Sequence, residues 1–238
     1  MKIGLIGYGR MGKEIEAIAR ERGHVVSLIV DAGNLGDLTP GNLALCDAVI
    51  EFTVPSSAVG NYMACFEAGV PVVSGTTGWL SQRAKVHEAC QRYGGTFFYA
   101  SNFSVGVNLF FLLNRRLAEI MTSHPQYQPG IHEVHHTRKL DAPSGTAITL
   151  AEDLAGLLPD TKGWSVAGES TTETIPVSSE RRGDVPGIHT VTWECDDDLI
   201  SITHSAKSRR GFALGAVLAA EFCLTHRGVL SMSDLLKF

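Results

Sequence analysis

The chain begins with a short apolar run, Lys2–Ile6, that passes without interruption into Gly7-Tyr8-Gly9-Arg10-Met11-Gly12 and then into a segment with apolar residues at Met11, Ile15, Ile18 and Ala19. A strand, a G-x-G-x-x-G turn and an amphipathic helix in direct succession constrain the fold more than any other feature, because the three glycines have separate duties. Gly7 permits the tight turn, Gly9 lets the backbone approach a pyrophosphate, and Gly12 lets helix and strand pack closely. The helix N-terminus offers free N–H groups to phosphate oxygens, and Arg10 can add a charged contact. The arrangement predicts a dinucleotide site.

The rhythm continues. Val25–Val30 reads as a second strand and places Asp31 at its end, 19 residues beyond Gly12, where a carboxylate can accept hydrogen bonds from a ribose. Asp31 is followed by Ala32 and Gly33, with no cation to hold a 2′-phosphate, so charge favours NADH over NADPH. Ala48–Phe52, Pro71–Ser74 and Thr96–Ala100 read as further strands. The helices between them are expected from a Ser56 cap to Gly69 and from Ser81 to Tyr93. Strand and helix alternating in this way predict a Rossmann-type parallel sheet. Phe52-Thr53 and Gly75-Thr76-Thr77-Gly78 fall at strand ends, where small and hydroxylated residues suit a nicotinamide ribose.

Near Asn102 the pattern changes. Helices are expected over Val107–Met121 and, capped by Ser144, over Thr146–Leu158, with strands at Ile131–His136, Thr174–Ser178, Ile188–Trp193 and Leu199–His204. The expectation is an α/β chain with an N-terminal Rossmann domain, an inserted α+β domain over 106–208, and a C-terminal helix returning to the first domain, which thus comprises 1–105 and 209–238. Ser231 and Asp234 predict a capping box on a last short helix.

Composition excludes several classes. A net charge of −5 argues against nucleic acid as a partner. No apolar run is long enough for a bilayer, and no signal peptide is visible, so a soluble cytoplasmic protein is expected. The five cysteines (Cys46, Cys65, Cys90, Cys195 and Cys223) form no C-x-x-C pair and read as reduced thiols.

The segment richest in chemistry is Glu133-Val134-His135-His136-Thr137-Arg138-Lys139-Leu140-Asp141-Ala142-Pro143-Ser144-Gly145-Thr146-Ala147. A Ser-Gly-Thr helix start can hold a carboxylate, Lys139 supplies positive charge, and a histidine titrates where a general acid is useful. On a strand, His135 and His136 point to opposite faces. Zinc on His132, His135 and His136 is disfavoured, because a strand does not converge them and the neighbouring Arg138 and Lys139 repel a cation. No metal is expected. An amino-acid dehydrogenase acting on aspartate or homoserine, or an NAD(H)-sensing protein without turnover, would share the Gly7–Gly12 loop but would not need this segment.

Residues 133–147 resemble the 4-hydroxy-tetrahydrodipicolinate (dihydrodipicolinate) reductase family of diaminopimelate and lysine biosynthesis, whose pattern E-x-H-H-x-x-K-x-D-A-P-S-G-T-A they match throughout. Similar stretches include Gly9–Gly12, Phe52-Thr53, Gly75–Gly78, Asn102–Asn108, Arg181–Asp184 with Gly187 and His189, and Arg209–Ala216. The resemblance implies that His135 is the general acid and that Lys139 assists protonation and binds a carboxylate. It implies that His136, Ser144, Gly145 and Thr146 hold the two carboxylates of a cyclic substrate. Gly7, Tyr8, Gly9, Arg10, Met11, Gly12, Asp31, Phe52, Thr53, Gly75, Thr76, Thr77, Ala100, Ser101, Asn102 and Phe103 would line NADH or NADPH, with Arg209 close to the cofactor. It further implies a homotetramer built through the second domain, and domains that close on their ligands. The chain departs from the pattern in being shorter than many members, in carrying Glu51 where Asp is usual, and in carrying Ala32 where a basic residue is frequent.

Overall fold

The structure is a computed structural model, which describes residues 1–169, 171 and 173–237. In chain order the elements are β1 Lys2–Ile6, α1 Arg10–Glu21, β2 Val25–Val30, α2 Pro40–Leu43, β3 Ala48–Glu51, α3 Pro55–Glu67, β4 Val72–Ser74, α4 Arg83–Arg92 and β5 Thr96–Tyr99. There follow α5 Val105–Met121, β6 Gln128–His135, α6 Gly145–Leu157, β7 Gly163–Val166, β8 Thr174–Arg181, β9 Ile188–Glu194 and β10 Leu199–Ser205. The remaining elements are α7 Arg210–Cys223, β11 Gly228–Leu230 and α8 Met232–Leu236. The chain divides into two compact units, one of Met1–Val105 with the residues from Arg210 onward, the other of Gly106–Arg209.

The first unit carries a six-stranded sheet in the order β11-β5-β4-β3-β1-β2, with every pairing parallel. Its inner strands β1, β3, β4 and β5 are covered on both faces, which is why they read as mostly apolar runs. Ile3, Leu5, Ile50, Val73 and Phe98 point to one side and pack with Ile15 and Ile18 of α1 and with the small residues of α7. Ile6, Val49, Val72 and Phe97 point to the other and pack with α2, α3 and α4. Helices on both faces of a parallel sheet make this a Rossmann-type domain.

Several boundaries differ from expectation for local reasons. Ser56 does not cap α3; Pro55 takes the first helical position, Val54 is the N-cap, and no side chain bonds there, in keeping with the tolerance of proline for N1. The helix expected from Ser81 splits into a 3₁₀ turn at Leu80–Gln82 followed by α4. Strand β11 was not foreseen, since its three residues carry no periodicity. On α8, the Asp234 carboxylate accepts from both the backbone N–H and the hydroxyl of Ser231, the expected box.

The second unit has a five-stranded mixed sheet in the order β10-β9-β6-β8-β7, with β6 antiparallel to β9 and parallel to β8. Helices α5 and α6 supply Phe110, Ala118, Leu150 and Leu154 to a core completed by Ile131, Val177, Val191 and Trp193 from the sheet. Strand β6 stops at His135, so His136 belongs to the turn that follows.

Candidate active site

In the first unit a cavity of about 390 Å³ opens at the C-terminal ends of β1, β2 and β3, and Gly7, Tyr8, Gly9, Asp31, Phe52 and Thr53 line it. The loop geometry follows from its glycines. Gly7 has φ +92°, and a Cβ there would meet the Phe52 carbonyl oxygen at 2.0 Å. A Cβ on Gly12 would meet the Gly7 carbonyl oxygen at 2.5 Å, whereas one on Gly9 would meet nothing within 4 Å. The turn is thus pressed onto the sheet at Gly7 and Gly12 and open at Gly9. Gly9 is the N-cap of α1 and supplies no side-chain bond, so the first N–H groups of that helix remain available to an anion. The Tyr8 hydroxyl donates to Glu16, which folds the side chain back along α1. Arg10 is exposed, and Met11 packs against the core.

Other expected cofactor residues have different surroundings. Thr76 is buried; its hydroxyl donates to Glu51 (3.0 Å) and accepts the Thr53 backbone N–H (2.8 Å). A Cβ on Gly75 would overlap the Phe52 ring at 2.1 Å. Gly75 and Thr76 therefore shape the floor under Phe52 and Thr53, while Thr77 is exposed. The fully buried Glu51 gathers this floor, also accepting from the hydroxyls of Thr53 and Ser74. Ala100 and Ser101 follow β5, and Asn102 turns its side chain back to accept the Ser104 N–H at 2.9 Å. Phe103 is 2% exposed, its ring 5.8 Å from both Phe52 and Phe98, which makes it a core residue. Arg209 falls within the second unit, one position from the expected boundary, where its charge acts on His136.

In the second unit the alternation of β6 separates the two histidines. His135 faces inward with Glu133 and is 8% exposed; His136 is half-buried beyond the strand end, and its Nδ1 has no partner. Burial, and then the positive charges of Arg138 and Arg209, hold the His136 imidazole below its ordinary value. Lys139 Nζ lies 2.8 and 2.7 Å from the two oxygens of Asp141. This pair holds the Asp141 carboxyl below the usual range.

Ser144 caps α6 as expected, its Oγ accepting the Ala147 N–H at 3.2 Å. The same hydroxyl lies 3.1 Å from His189 Nε2, and the residue is 2% exposed. Its side chain is thereby committed, and the groups of the helix start open to a ligand are those of Gly145, which is exposed, and Thr146, which is half-buried. His132 lies apart from His135, bonded at 2.8 Å to Ser178 on the opposite face of the sheet. A different trio does converge. Glu133, His135 and His189 bring donor atoms within 4.8 Å of one another, but the Arg181 guanidinium stands 3.1 Å from the same carboxylate and neutralises it.

Comparison with known proteins bears on both units. The family model for the N-terminal part of dihydrodipicolinate reductase matches residues 1–103, and the model for its C-terminal part matches residues 106–236. The chain belongs to the dihydrodipicolinate reductase family. A family relative, the 4-hydroxy-tetrahydrodipicolinate reductase of Christiangramia forsetii, is 48% identical over all of this chain and 98% of its own length. The corresponding reductase of Neisseria meningitidis is 36% identical over 93% of this chain and 83% of its own. Among solved structures, the dipicolinate-bound dihydrodipicolinate reductase from Paenisporosarcina has the same fold, with a TM-score of 0.78 over 97% of both chains at 22% identity. Among the described residues no helix is long and apolar enough to cross a membrane.

Three residues of this cluster, Glu133, Arg181 and His189, carried no assigned role in the sequence reading. Only Glu133 left a local signal, its position two residues before His135 on one strand face. Arg181 and His189 reach the cluster through register, opposite His135 on β8 and opposite Glu133 on β9, and no short-range pattern announces that.

Proposed function

We propose that the chain reduces 4-hydroxy-tetrahydrodipicolinate to tetrahydrodipicolinate with NAD(P)H, in diaminopimelate and lysine biosynthesis. The observation that carries this reading is the segment 133–147, with an imidazole, an ammonium group and an open helix start close together in a chain whose other unit holds a dinucleotide cavity.

The open space over Gly9 and the uncapped N-terminus of α1 fit a pyrophosphate. Asp31 accepts from ribose hydroxyls. When bound, the nicotinamide supplies the hydride. The N–H groups of Gly145 and Thr146 hold one substrate carboxylate, and Lys139 with His136 holds the other. Fixing both carboxylates orients the ring, a contribution worth several kcal/mol. His135 carries the proton delivered to the substrate, and the substrate's hydroxyl group leaves as water.

Turnover of synthase-generated substrate, followed as NADH oxidation, tests the assignment. His135→Ala and Lys139→Ala are each expected to lower kcat by about 10²–10⁴; wild-type turnover by either overturns it. Among the described residues no Lys or Arg lines the cavity beside Asp31, which supports a preference for NADH. The expected result is a higher kcat/KM with NADH than with NADPH, and a ratio that moves toward NADPH in Asp31→Ser. The reading extends to a cytoplasmic homotetramer associating through the second unit's sheet, measurable by analytical ultracentrifugation.

A further inference from the structure

Glu133 is completely buried, and burying a carboxylate is costly unless every lone pair is answered. Here groups from four places in the chain surround it. His135, two residues along β6, brings Nδ1 to 2.6 Å from Oε2 in a short, off-axis ion contact. The Ser144 backbone N–H, at the start of α6, donates to Oε1 at 3.1 Å. Arg181 from β8 donates to the same oxygen at 3.1 Å and to the Asp141 carbonyl at 2.6 Å. His189 from β9 stands 3.9 Å from Oε2 and bonds the Ser144 hydroxyl. One carboxylate thus grips the proton-carrying ring with one oxygen and the carboxylate-binding helix start with the other.

We propose that Glu133 is a positioning residue that holds the His135 Nδ1–H toward itself, leaves Nε2 as the atom that carries the exchangeable proton, and fixes that atom relative to the start of α6. This rests on the reading of His135 as the general acid. Two further observations fit it. Gly187 has φ +154°, and a Cβ there would stand 3.0 Å from His135 Nε2, so the absence of a side chain keeps that nitrogen uncovered. The His189 ring stands edge-on to His135, with centroids 5.0 Å apart. Burial and then the His135 charge push His189 down to about 4, so it stays neutral at physiological pH and does not compete as a second cation for Glu133. Further charged or titratable groups acting on the cluster include Arg181, His204 and Lys139, the last paired with Asp141. Burial alone would raise Glu133, but the polar contacts from His135, Ser144 and Ser179 outweigh it and keep the carboxylate ionised well below its usual range.

The first test needs no variant. Long-range ¹⁵N NMR of the full-length wild-type protein, at a pH where the ring is neutral, should find His135 as the Nδ1–H tautomer; an Nε2–H tautomer overturns the proposal. This measurement uses no substrate, so a failed turnover assay would tell against the reduction while leaving the Glu133–His135 pairing to be judged separately. Glu133→Gln should lose the single tautomer and lower kcat by about 10²-fold or more, approaching the loss seen when a triad carboxylate is neutralised, with unchanged NADH affinity. Glu133→Asp, which keeps the charge, should recover the tautomer and most of kcat. A Glu133→Gln protein that is folded by thermal melt and turns over like wild type overturns the proposal.

Discussion

Glu51 shows what a single side chain can organise. It has no measurable exposure, and it collects the hydroxyls of Thr53, Ser74 and Thr76 with Asn61 at 3.4 Å, while Tyr62 bonds Ser74 at 2.7 Å. Removing the acceptor leaves those buried donors unanswered, at about 1–3 kcal/mol for each that finds no other partner. Glu51→Ala is therefore expected to lower the urea midpoint by the equivalent of about 2–4 kcal/mol at an unchanged m-value, and to raise the KM for NADH. Glu51→Gln, which preserves an acceptor, should lose less on both counts. At this scale the sequence was informative about place and silent about direction. Phe52-Thr53 and Gly75-Thr76-Thr77 were legible as strand-end residues, but whether a threonine faces a ligand or a buried carboxylate depends on a side chain 25 positions away, as with Thr76 and Glu51. Ser144 is a similar instance, since its hydroxyl turns to His189, 45 positions on.

Among the elements, α7 is made for close approach. Its buried positions are Ala213, Gly215, Ala216, Val217, Ala219, Ala220 and Cys223, and a Cβ on Gly215 would stand 1.8 Å from the Phe103 carbonyl oxygen. That neighbour is backbone and has little freedom to yield. Gly215→Ala is expected to destabilise the protein by about 3 kcal/mol, the upper end for overpacking, despite the better helix propensity of alanine; an unchanged denaturant midpoint would contradict this. Helices with a clear apolar stripe and strands buried on both faces, such as α1, β1 and β3, could be read directly. The 3₁₀ turn before α4 and the short strand β11 could not, because the first depends on how Trp79 seats among Tyr62, Phe97 and Tyr99, and the second exists only through pairing with β5.

For the whole molecule, buried histidines set the response to acid. His189 falls from an ordinary value near 6.5 to about 4 on folding, and burial also lowers His87 and His204. A base with a depressed value in the folded state binds its proton more readily when unfolded. The stability tied to His189 is therefore present above about pH 6.5, declines between 6.5 and about 4, and amounts to about 3 kcal/mol at 1.36 kcal/mol per unit. Glu133 adds a loss of the same sign at lower pH, as acid approaches its depressed value. Urea midpoints are expected to fall from pH 7 to pH 4.5, and less steeply in His189→Asn; a flat profile in the wild type would refute the account. The alternation of strands and helices, and its break near Asn102, made the two-part architecture legible, whereas the pairing partners of β6 were not, since both of them, β8 and β9, come later in the chain. The insertion also has a consequence for synthesis. The six-stranded sheet lacks its β11 edge strand, and one of its faces lacks part of its covering, until α7 and β11 have been translated, while residues 106–209 already hold all of their own strands and helices. On the ribosome the later-encoded unit thus has its whole sheet to hand before the first unit has received its last helix and strand.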